Sequence, residues 1–166
     1  MTKIIFKTKT SFLICAYIIN YLLMLSNSSK YAIKAVLFLA IHSNKEDKIM
    51  AKDISEPINV PQAYIAKLLQ TLVRAQIVSS NKGPKGGFYL EGENFNTPIM
   101  RIINAIEGED ALDACMLSLE KCNKDKPCPL HAILSVSRNH IVENLNNKTV
   151  KDLVVSVKNG ESFLPL

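Results

Sequence analysis

Six glycines and seven prolines in 166 residues are too few for a collagen-like or low-complexity chain. With 48% apolar and 21% charged residues the sequence also lies outside the disordered class, so it should fold. At this length there is room for one core with appendages, and a typical two-domain enzyme is excluded. The short constellations that carry catalysis are missing too. There is no paired acid-base arrangement, no nucleophile motif, and no Gly-Lys-Ser/Thr after the glycine-rich stretch to make a nucleotide loop. These absences argue against an enzyme and leave binding as the function to look for.

A long apolar run is also lacking. A membrane span needs about 20 residues. The run Phe12 to Leu25, broken by Asn20, has about 14, near the length of a signal-peptide core. Lys3, Lys7 and Lys9 supply a basic flank, but no small-residue cleavage site follows Leu22-Leu23-Met24-Leu25. Residues 1–23 are therefore read as an upstream extension ahead of a start at Met24. The competing readings are a membrane anchor or uncleaved signal, and an extra ordered helix. On the first reading the segment stays outside the fold, Cys15 has no role, and the protein is cytoplasmic, with a membrane role disfavoured.

What is present is polarised. The net charge of +5 hides a central stretch, residues 24–90, with nine basic and four acidic side chains, and a following stretch, 91–166, with eight basic and eleven acidic. The centre is suited to meet a polyanion.

From Ser28 the sequence turns periodic. Ser28 or Ser29 can cap a helix that places Tyr31, Ala32, Ala35, Val36, Leu39 and Ala40 on one face and ends near Ser43-Asn44. Met50 to Glu56 is a short second helix that Pro57 stops. In the turn Ile58-Asn59-Val60, Asn59 suits the left-handed conformation. Pro61 sits at the first position of a third helix running to about Ala75. Its Ile65, Leu68, Leu69, Leu72 and Val73 fall on one face, and Ala63, Lys67, Gln70 and Arg74 on the other. An amphipathic surface helix explains this pattern as it stands. A short helix, a brief turn and a second amphipathic helix also form the helix-turn-helix pattern, whose second helix sets its first residues against base edges.

The next segment favours the second reading. Ile77 to Ser80 and Phe88 to Leu90 read as strands joined by Asn81-Lys82-Gly83-Pro84-Lys85-Gly86-Gly87, a run of turn-formers with two lysines. Directly after a helix-turn-helix, a basic hairpin is a wing, and Lys82 and Lys85 would lie near sugar-phosphate. The expected fold is mainly α with this small β-hairpin. A winged helix-turn-helix domain spans 24–92, the sensor loop and dimerisation helices 93–157, and a tail 158–166. Candidate DNA contacts are Lys30, Tyr31, Lys52, Gln62, Ala63, Tyr64, Lys67, Lys82, Gly83 and Lys85.

After Leu90 the chemistry changes. Thr97 to Glu107 is helical, with Ile99, Ile102, Ile103 and Ile106 on one face and Gly108 ending it. Three of the four cysteines follow within 14 residues, Cys115, Cys122 and Cys128, and then His131. In a reducing compartment such a cluster suggests metal ligation or thiol switching. The intervals of six and five residues are wider than the tight knuckles of structural zinc and suit an iron-sulfur cluster. Spacing alone leaves cluster, zinc, redox thiols and unremarkable cysteines open.

Taken together, Leu25-Ser26, Lys30-Tyr31-Ala32, Val60-Pro61-Gln62-Ala63-Tyr64-Ile65, Gly83-Pro84-Lys85-Gly86-Gly87-Phe88-Tyr89-Leu90, and Cys115, Cys122 and Cys128-Pro129-Leu130-His131 resemble the Rrf-two family (IscR/NsrR-like) of bacterial transcription regulators. The resemblance spans residues 24 to about 157, and members typically begin one or two residues before the Leu-Ser. It implies a homodimeric winged helix that binds double-stranded DNA at a palindromic promoter site. It also implies that Cys115, Cys122 and Cys128 are thiolate ligands of an iron-sulfur cluster, 2Fe-2S in preference to 4Fe-4S. His131 matches the position of the histidine ligand in the IscR-like branch; alternatively it is a polar residue in the first turn of the next helix. A cluster-free repressor using zinc or redox thiols, and a membrane-tethered interaction module, are the alternatives. The first cysteine interval is one residue longer than in some cluster-binding members, and Asn59 stands where glycine is common. His42 and His140 have no such context. Pro129 starts a helix from 130 to about 146 whose Leu130, Ile133, Leu134, Ile141 and Leu145 form an intermittent apolar stripe, and the resemblance makes it the dimerisation helix.

Overall fold

The computed structural model describes residues 25–109, 112 and 125–166. The proposed start at Met24, the extension 1–23 with Cys15, and the cluster candidates Cys115 and Cys122 lie outside the described residues. Among the described residues, no helix is long and apolar enough to cross a membrane.

The described residues form six α-helices and one hairpin, in order: α1 (Asn27–His42), α2 (Ala51–Ile58), α3 (Gln62–Arg74), β1 (Ser79–Asn81), β2 (Gly87–Tyr89), a 3-10 turn (Gly92–Asn96), α4 (Ile99–Glu107), α5 (His131–Asn147) and α6 (Val150–Lys158). The expected helices and hairpin are all present, with small shifts at their ends. The cap of α1 is Ser26, whose hydroxyl accepts from the Ser29 amide. Ser28 and Ser29 are thereby freed from capping and turned to other partners. Pro57 lies inside the last turn of α2 and does not stop it; Asn59 ends that helix at φ 58°, ψ 52°, in the left-handed conformation expected of it. Pro61 is the cap of α3 and so precedes its first helical position. The helix after the hairpin starts at Ile99, because the residues before it form the 3-10 turn and Pro98 takes the cap position.

One buried cluster joins the inner faces. Leu39 and Val36 of α1, Ile54 of α2, Leu69 and Leu72 of α3, Ile102 and Ile103 of α4 and Val150 of α6 are all fully enclosed in it. Helix α1 is central and packs on α2, α3, α4 and α6. Arg101 of α4 donates to the Ala75 carbonyl at 2.8 Å and so holds the C-terminal end of α3. Helix α6 is not among the expected helices, although Val150, Leu153, Val154 and Val157 recur at helical spacing and face the core side. Its start is a reciprocal cap: the Thr149 amide and hydroxyl donate to Asp152, and the Asp152 amide donates to the Thr149 hydroxyl. These bonds, the Thr149 amide first, hold the Asp152 carboxyl below its ordinary value. The cap therefore stabilises α6 at and above the ordinary carboxylate range, and is lost as pH falls through the lowered value.

The hairpin is antiparallel, pairing Ser79 with Tyr89 and Asn81 with Gly87. The second strand lies one residue earlier than expected, and the first begins two residues later and ends one later. Ile49, just before α2, exchanges two backbone hydrogen bonds with Phe88, 3.0 and 2.8 Å, and fixes the hairpin beside the helix-turn-helix. This close approach requires Gly87. A Cβ there would lie 2.8 Å from the Ile49 carbonyl oxygen.

Candidate nucleic-acid interface

The candidate surface is built by α3 and the hairpin. Burial of Ile65, Leu68, Leu69 and Leu72 forces the other face of α3 outward, and Gln62, Ala63, Lys67, Gln70 and Arg74 are exposed on it. No side chain caps the first turn of α3; the Tyr64 amide donates to the Pro61 carbonyl at 3.0 Å, which leaves the Gln62 and Ala63 amides for an outside acceptor. Gln62, Ala66, Gln70 and Arg74 line one wall of an open groove, and Asn81, Lys82 and Phe88 of the hairpin line the other. Met50, 59% exposed, and Ala51 also line it. In the hairpin tip the Gly86 amide donates to the Gly83 carbonyl at 2.8 Å, and Gly83 takes φ 111°, which a side chain would strain. This tight turn carries Lys82 and Lys85 into solvent.

The other candidate contacts divide. Lys30 is exposed in the first turn of α1, and Lys52 is exposed but 3.9 Å from Glu56 one turn on. Tyr31 and Tyr64 are half-buried and meet edge to face, with ring centroids 6.1 Å apart. The Tyr64 hydroxyl lies 2.7 Å from Ser28 Oγ. Met50 and Asn81 face the groove without having been singled out in the sequence. Nothing in their local pattern marks them, because the groove forms only when α2, α3 and the hairpin are assembled.

Of the cysteine group, the described residues include Cys128 and His131. Both are half-buried, and the His131 amide donates to the Cys128 carbonyl at 2.9 Å, one turn apart at the start of α5. The structure thus brings these two together; it gives no placement for Cys115 and Cys122.

A winged helix-turn-helix with this connectivity matches the Rrf2 model, described as an iron-dependent transcriptional regulator, over residues 25–156. The chain belongs to the Rrf2 family. Among Rrf2 relatives, the HTH-type transcriptional regulator IscR of Pectobacterium atrosepticum is 31% identical over 131 residues, covering 78% of each chain. IscR of Vibrio vulnificus is 30% identical over 131 residues, 78% of this chain and 76% of its own. Two solved structures share the fold. CymR, the global cysteine regulator of B. subtilis, superposes with TM-score 0.64 at 23% identity, covering 78% of this chain and 95% of its own. T. potens IscR superposes with TM-score 0.62 at 22% identity, covering 83% and 90%. The chain is accordingly a DNA-binding transcriptional regulator of the Rrf2 family and not an enzyme.

Proposed function

We propose that this regulator acts as a homodimer on a palindromic promoter site, and that its DNA binding is set by an iron-sulfur cluster held by Cys115, Cys122 and Cys128 with His131 as the fourth ligand. The observation that carries the reading is the run of three cysteines and a histidine ending in the Cys128–His131 turn, in a family described by its dependence on iron. The donor set fits the group: soft thiolates are the usual ligands of such clusters, and a histidine in place of a cysteine is an established variation. A bound cluster supplies sensitivity to redox state and to cluster supply. The chain's own part is to hold Cys128 and His131 at the head of α5, so that their order is passed to that helix.

Dimerisation is supported by α5 itself. It has no buried residue, and it leaves Ile133 69% and Val136 71% exposed while Val142 and Leu145 pack against the core. Exposed apolar side chains on a helix of a monomer are best explained by a partner, and the family reading supplies a second copy. Two α3 helices would then meet the major groove about one DNA turn, roughly 34 Å, apart. On each head, Gln62, Ala63 and Lys67 address base edges, and Lys82 and Lys85 address phosphate.

Anaerobic purification of the chain followed by iron and acid-labile sulfide assays tests the cofactor. The expected result is a coloured protein with iron and sulfide in equal amounts, and loss of both in Cys128→Ala. A colourless protein that cannot be reconstituted, or one containing zinc, would overturn the cluster and leave the DNA-binding role standing.

A further inference from the structure

The root of the cysteine segment and the recognition helix are joined through the first turn of α1. Glu107 is the last residue of α4, eight positions before Cys115 in sequence. Its Oε1 accepts the Ser26 amide at 3.2 Å, the Ser26 hydroxyl at 2.7 Å, and the Ser29 hydroxyl. Ser26 is the cap of α1, so the carboxylate sits at the positive end of that helix, where a negative charge is favoured. In the same turn, Ser28 shares its 2.7 Å hydrogen bond with the Tyr64 hydroxyl, and Tyr31 packs edge-on against the Tyr64 ring. Tyr64 directly follows Gln62 and Ala63, the first residues of α3.

We propose that Glu107 and Tyr64 are positioning residues for DNA readout. Glu107 fixes the first turn of α1, and Ser28 passes that placement to Tyr64 and so to the base-facing residues Gln62 and Ala63. The inference rests on α3 being the recognition helix and does not depend on a cluster. Base-edge contacts demand placement to within about 0.5 Å, whereas a long lysine reaching a phosphate tolerates more. Loosening this turn therefore lowers affinity for the specific site and spares non-specific binding, a pattern that a general loss of stability does not produce.

The test uses the full chain, a duplex enriched from random-sequence DNA by binding to the unmodified protein, and a scrambled duplex of equal length. Folding is verified by circular dichroism at the assay temperature. Glu107→Ala and Tyr64→Phe are each expected to weaken binding to the enriched duplex about five- to ten-fold, the scale of one or two hydrogen bonds, with binding to the scrambled duplex within about two-fold. Because both act through one turn, the double variant should lose no more than the worse single variant, instead of the product of the two. Glu107→Gln, which keeps an acceptor oxygen, should recover most of the affinity. Losses that multiply in the double variant, or that are equal on both duplexes, would overturn the proposal. If Glu107→Ala does not fold, Tyr64→Phe and Ser28→Ala decide, and unchanged affinity for the enriched duplex in both overturns it. If Gln62→Ala also leaves that affinity unchanged, the recognition-helix reading itself fails; if Gln62→Ala weakens it while the other variants do not, only the positioning role fails.

Discussion

Removing both wing lysines, Lys82→Ala with Lys85→Ala, is expected to weaken binding to every duplex, specific or scrambled, and to flatten its salt dependence. Both side chains are exposed in the turn between β1 and β2, beside the groove that α3 lines. Each phosphate neutralised releases counterion and adds about 0.9 to the slope of log affinity against log salt. Two lysines per head give about 1.8, or about 3.6 for a dimer with both wings engaged. Relative to 1 M salt, where the logarithmic term vanishes, this amounts at 0.1 M to about 60-fold in affinity per head. Titration of one labelled duplex at four or five salt concentrations measures it. An unchanged slope means that the hairpin does not contact phosphate.

Leu69→Ala is expected to cost about 3 kcal/mol of stability, within the range seen when a buried leucine is truncated. Leu69 is fully enclosed on the inner face of α3, in the cluster shared with α1, α2 and α4, and it holds the recognition helix against the rest of the head. A domain with a total stability of about 5 to 15 kcal/mol would lose a large part of it. Urea unfolding followed by circular dichroism should show a lower midpoint with little change in slope. A midpoint unmoved by the substitution would mean that α3 is not packed as described. DNA affinity of the fraction still folded should be nearly unchanged, which separates this variant from those at the interface.

The sequence disclosed these two sites unequally. Helix α3 was readable because four enclosed side chains, Ile65, Leu68, Leu69 and Leu72, recur at helical spacing over 13 residues, and the wing because turn-formers and lysines are concentrated between two short strands. Asn59 was readable for a local reason too: few residues other than glycine tolerate its left-handed backbone. The cap of α1 is Ser26 and not the expected Ser28 or Ser29, and all three are good capping residues. The choice among them is made by Glu107, 81 residues from Ser26 and 78 from Ser29. No local pattern records a bond over that distance. Gln76 carries no such mark, as it adopts φ 59° without being the glycine or asparagine usual at such a position. Cys115, Cys122 and Cys128 stand out by spacing and residue type, and the family resemblance adds His131, three residues beyond Cys128. Their partnership is chemistry that the sequence suggests and that ligand-binding measurements decide.

In the proposed function, a cluster on Cys115, Cys122, Cys128 and His131 sets how this regulator binds DNA. The direct measurement compares the affinity of anaerobically prepared, cluster-containing protein with that of the same preparation after the iron is removed by a chelator, each titrated against one duplex enriched by the cluster-containing form. A difference of ten-fold or more, about 1.4 kcal/mol, absent in Cys128→Ala, is the predicted result. Equal affinities for the two preparations, with iron and sulfide confirmed in one and absent from the other, would contradict it.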